Sequence, residues 1–132
     1  MVGLDSLVLD DPEVIIPRDT VSRLFNLTAE KTGCEYFGLL LSKHLDMSIL
    51  GPFGLLVQHS NTVGDALHLL IQHAPTRFQG MELGLQVEGE LAFFYTHFIT
   101  TDEDRTQGMM VTAGLTFTLM KSLCGENWRP FE

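Results

Sequence analysis

Five histidines, His44, His59, His68, His73 and His97, are the first residues to test for chemistry. A metal or a haem iron needs imidazoles that converge, and on one helix convergence needs a spacing of three or four. His68 and His73 stand five apart and no H-x-x-x-H occurs, so the pattern is that of surface or half-buried histidines, and no metal is expected. Cys34 and Cys124 form no C-x-x-C, which points to reduced thiols rather than to a zinc site or a disulfide framework. Glu82 with Glu88, and Glu103 with Asp104, are pairs that a solvated strand face and a helix N-terminus carry anyway. With no G-x-S-x-G and no glycine-rich loop leading into Lys-Ser/Thr, no catalytic constellation emerges. The chain is read as a non-enzyme without a cofactor.

Binding is the better reading. Phe37, Phe53, Phe94, Tyr95, His97 and Trp128 could line an apolar pocket with a few polar tips, the common form of a small-molecule site, although plain core packing competes for most of them. Tyr95 and His97 stand out, because strand alternation puts both on one face and each polar tip needs a partner when buried. Arg77, the one cation between Lys43 and Arg105, is a candidate clamp for an anionic effector, with a surface salt bridge as the competing account. Met109, Met110, Ala113 and Phe117 suit an adaptable dimer face, against core filling as the alternative.

Composition narrows the partners. A net charge of −9 over 132 residues, without any Lys/Arg run, repels a phosphate backbone, so this part of the protein does not itself hold DNA. At 45% hydrophobic the chain can build one core and is too short for two, which makes residues 1–132 a single domain. The acidic N-terminus is unlike a signal peptide, and no apolar run approaches the roughly 20 residues of a membrane span. A cytoplasmic location is expected.

The elements that must position these residues begin with the stretch from Thr62 to Pro75. Thr62 is an N-cap, Asp65 completes an acid version of the capping box, and Val63, Ala66, Leu67, Leu70, Ile71 and Ala74 recur at helical spacing. Pro75 is expected to end this helix. Before it, residues 1–16 read as a loosely tied arm, a first helix runs from Pro17 or Asp19 to a stop at Gly33, and a second spans Glu35 to Leu45 with Phe37, Leu40, Leu41 and Leu45 on one side. Gly51-Pro52 turns into an apolar run from Leu55 to His59 that is read as helical. Met81 to Val87 alternates as a half-buried strand, Gly89-Glu90 turns the chain, and Leu91 to Ile99 returns antiparallel with both faces covered. Thr101 and Asp102 should cap a last helix with Glu103 and Asp104 in its first turn, ending at Gly125. The final E-N-W-R-P-F-E reads as the start of a strand and suggests that more chain follows. The fold class is therefore α+β, helices on a small antiparallel sheet containing this hairpin, with a mainly helical bundle bearing an appended hairpin as the alternative.

Five stretches occur in order: D-P-E-V-I-I-P, T-G-C-E-Y-F-G-L-L-L, L-G-P-F-G-L-L-V, N-T-V-G-D-A-L-H-L-L and L-C-G-E-N-W-R-P. Together they resemble the N-terminal, arabinose-binding-like domain of AraC/XylS-type bacterial transcription regulators, over nearly the whole chain from about Asp10. The resemblance implies an effector-sensing domain that forms homodimers and controls a separate DNA-binding domain with two helix-turn-helix motifs, which these residues do not include. Effector identity does not transfer with it. The helical first half argues against a cupin-like jelly roll. The competing function is a small cofactor-carrying sensor or enzyme, such as a haem module using one of the histidines.

Overall fold

The computed structural model describes residues 5–99 and 104–131. Among these described residues, five α-helices and one hairpin follow each other in the order α1 (Arg18–Thr32), α2 (Phe37–Ser42), α3 (Pro52–Gln58), α4 (Val63–Arg77), β1 (Met81–Glu88), β2 (Leu91–Phe98) and α5 (Thr106–Cys124). The class is α+β, with the helices packed on a two-stranded antiparallel sheet.

Helix α4 starts as its local chemistry dictates: the Thr62 side chain accepts the Asp65 N–H at 3.0 Å. Its buried face is Ala66, Leu67, Leu70 and Ala74, and with Leu50, Val57 and Leu119 most of this face forms the core. The expected stop at Pro75 is corrected, because the helix runs on to Arg77. Pro75 lacks only the N–H that would have reached Ile71, and the next turn closes through Phe78 N–H to the Ala74 carbonyl at 2.7 Å. Leu55 to Gln58 is helical as read, within α3, whose first residue is Pro52 and whose C-cap is His59.

Helix α2 is shorter than the expected Glu35–Leu45, and its buried face is different. Gly38 and Ser42 are buried while Leu40 is 48% exposed. Small residues face inward because α2 crosses α5 at close range: a Cβ on Gly38 would collide with the Gln107 carbonyl and the Met110 side chain. Gln107, 6% exposed, bridges the crossing, its Oε1 accepting the Gly38 N–H at 2.8 Å and its Nε2 donating to the Glu35 carbonyl at 2.9 Å.

In the hairpin, Met81 pairs with Phe98, Glu82 with His97, Gly84 with Tyr95 and Leu85 with Phe94. Met81, Leu83 and Leu85 share the inner face with Phe94, Thr96 and Phe98. The outer face is not covered as expected, since Phe93 and Tyr95 stand about half exposed there. Other departures are local. Ser6–Asp10 forms a 3-10 helix capped by Asp5, and a second 3-10 helix occupies Met47–Leu50. Glu126 to Phe131 forms no strand; Trp128 packs against Phe117 with ring centroids 5.9 Å apart. Thr101, Asp102 and Glu103, assigned above to the start of the last helix, lie outside the described residues, whereas Asp104 accepts the Thr106 N–H at 3.1 Å.

Candidate functional site

Three elements turn one face each toward a common space. On α1, Arg18, Val21, Ser22 and Phe25 recur at three and four residues, which stacks them on one side of the helix. On α5 the same spacing brings in Gly108, Val111, Thr112, Leu115, Thr116 and Leu119. On the hairpin, alternation supplies Met81 and Leu83 from β1 and Phe94 and Thr96 from β2. Leu70 of α4 and the 3-10 helix at Met47–Leu50 close the remaining side. The result is a cavity of about 320 Å³, at the lower end of the roughly 300–1,000 Å³ usual for small-molecule sites.

Its walls are overwhelmingly apolar, with a few polar groups. The Thr112 hydroxyl donates to the Gly108 carbonyl at 3.0 Å and the Thr118 hydroxyl to the Gly114 carbonyl at 3.1 Å, so both offer lone pairs rather than protons to a guest. Among the described residues, Arg18 is the one basic residue that lines the cavity. Its guanidinium lies over the Phe98 ring at 4.3 Å from the centroid and donates to the Gln79 carbonyl at 3.4 Å. Burial pulls its pKa down, opposed by neighbouring Asp19, but a guanidinium stays charged at any physiological pH. Asp46 also lines the cavity; the Ser48 hydroxyl and then the Ser48 N–H, at 2.8 Å, hold its carboxyl below the ordinary range.

The residues singled out from sequence are placed differently from one another. Phe94 lines the cavity. Tyr95 and His97 do share a face, as alternation requires, but it is the outer one, and neither lines the cavity. Tyr95, 54% exposed, lies over Gly84, where a Cβ would meet its ring, and His97 Nδ1 stands 3.7 Å from Glu82. Phe37 packs on the lining residue Phe25 at 6.2 Å and Phe53 on His73 at 4.9 Å, and neither Phe37 nor Phe53 itself lines the cavity. Arg77 reaches over Gly51, also outside it. The registry held a usable signal: counting outward from a two-residue turn at Gly89-Glu90 sets Tyr95 and His97 opposite Gly84 and Glu82, on the strand face that carries charge. For Arg18 the signal was a cation in the first turn of a helix, where the macrodipole disfavours it.

None of the five histidines lines the cavity. Among the described residues, no three His, Cys, Asp or Glu side chains converge on a point where a metal could sit. On the far side of α5, Met109 and Phe117 are 54% and 41% exposed and Ala113 lies exposed between them. Met110 is instead turned against Gly38 of α2. Ala113 and Phe117 wall an open groove with Tyr36, Leu39 and Leu40 of the α2 side.

Among the described residues no helix is long and apolar enough to cross a membrane. The family model described as the N-terminal arabinose-binding domain of AraC transcription regulator matches residues 1–132, the whole chain. No curated protein matches it.

Proposed function

We propose, because the chain belongs to the family of the N-terminal arabinose-binding domain of AraC transcription regulators, that the cavity between α1, α5 and the hairpin is where it senses a small-molecule effector. The observation that carries this placement is convergence. Helical and strand periodicities from separate segments direct their apolar faces onto one space that they leave unfilled, whereas protein interiors are ordinarily close-packed. The family description names arabinose, but a sugar presents hydroxyls all round, and burying them against these walls would strand most of them without partners. A largely apolar effector fits the lining better.

In this reading the domain is a cytoplasmic dimer that controls a separate DNA-binding domain, and α5 is the link. One side of α5 forms a cavity wall and the other carries Met109, Ala113 and Phe117 outward, so an effector that repositions the helix changes the surface offered to a partner. A two-fold pair of such domains matches the paired half-sites that helix-turn-helix regulators read.

The test is thermal stability against a panel of apolar metabolites, in the wild type and in Thr116→Phe, which fills the cavity from α5. A ligand that binds only the folded state adds roughly 2.7 kcal/mol at about 100 times its dissociation constant. Stabilisation of the wild type that Thr116→Phe abolishes supports the site; equal stabilisation of both places the effector elsewhere.

A further inference from the structure

Arg18 is costly where it stands. It is a cation in the first turn of α1, next to the positive end of the helix dipole, and partly withdrawn from water at the edge of an apolar cavity. A guanidinium has five N–H donors in a rigid fork. The Gln79 carbonyl takes one, and a neighbouring carboxylate can take two at most, so donors remain for a guest. The ring of Phe98, 4.3 Å from the guanidinium carbon, holds the fork at this edge of the cavity. Asp46, the one acid among the described lining residues, is engaged as the cap of the Met47–Leu50 turn, and among the described residues no ion pair joins it to Arg18.

We propose that the effector is an apolar molecule with a single carboxylate, seated with its carboxylate on the Arg18 fork and its body in the cavity against Leu83, Phe94, Val111 and Leu115. This rests on the effector-site reading above. The planar, acceptor-only head matches the guanidinium fork in two parallel hydrogen bonds, and the remainder of the molecule meets the apolar wall. The Thr112 and Thr118 hydroxyls, whose protons are already given to Gly108 and Gly114, meet a carboxylate only with lone pairs, which favours the Arg18 end.

Isothermal titration above the pKa of the acids, with two matched pairs of probes, tests it: octanoate beside octan-1-ol, and 2-naphthoate beside 2-naphthol. In the wild type at least one acid should bind about tenfold or more tighter than its alcohol, the size expected of a charge-assisted hydrogen-bonded pair. Which acid binds tells a chain from a ring. Arg18→Gln should bring that acid down to the affinity of its alcohol and leave the alcohol unchanged, and Arg18→Lys should keep only part of the preference. The wild-type and Arg18→Lys comparisons stand even if Arg18→Gln does not fold. Alcohols binding as well as acids, or a preference that survives in Arg18→Gln, would overturn the carboxylate while leaving the effector site intact. If none of the four probes binds the folded wild type, the site itself falls with it.

Discussion

Gln107 commits both ends of its amide to α2, and at residue scale this makes it the polar group whose loss should be felt most. Gln107→Leu keeps the volume but leaves the buried Gly38 N–H and the part-buried Glu35 carbonyl without their partner, and a buried unsatisfied group costs about 1–3 kcal/mol. Urea unfolding should therefore show a loss of at least about 1 kcal/mol with little change in slope; an unchanged midpoint would mean that water replaces the amide. Asp46 should be read in a pH series. Its folded pKa lies below the unfolded value, because Ser48 hydrogen bonds favour the carboxylate. Its contribution is thus present above the unfolded pKa of about 4 and disappears as pH falls through the folded one. The stability advantage of wild type over Asp46→Ala should hold at neutral pH and shrink in acid, and an advantage that grew in acid would reverse the sign. Single residues were the least legible level in the sequence. The face carrying Tyr95 and His97 was visible, but which side of it is buried depends on what packs on the sheet, and Arg18 matters only once α1 and the hairpin base meet.

Elements were legible where their causes are local. The start of α4, the extent of α1 and the hairpin with its two-residue turn follow from a cap, a glycine stop and alternation within a few residues. The inner side of α2 did not follow, because Gly38 and Ser42 are selected by the approach of α5, far along the chain. Pro75 marks the limit of a local rule. Proline in a helix interior costs about 3 kcal/mol, and near the end the loss is smaller. Pro75→Ala should restore an N–H for the Ile71 carbonyl and raise the unfolding temperature, by an amount corresponding to about 1 kcal/mol. A lower temperature would show that the proline ring contributes packing or restrains the unfolded chain by more than the lost bond.

At the scale of the whole molecule the cavity is a property of no single element, which is why its existence could not be read from the periodicity of any one stretch. Strand alternation on the hairpin was visible; the faces of α1 and α5 that meet it, and their convergence, were not. The same helix that walls it also offers the outward face proposed for pairing, and Met109→Glu tests that face with little risk to the fold, because Met109 is more than half exposed. Sedimentation should show a dimer of the wild type at micromolar concentration and a folded monomer of Met109→Glu; a monomeric wild type, or a variant that still pairs, removes this face from the account. The central claim, that the cavity receives the effector, is met most directly by methyl resonances during titration with octanoate and octan-1-ol in turn. Binding in the cavity predicts shifts at Met47, Leu83, Val111 and Leu115, with outward Leu55, Leu56 and Val87 unmoved. Shifts confined to the outward set, or none at all with both probes at saturating concentration, would contradict it.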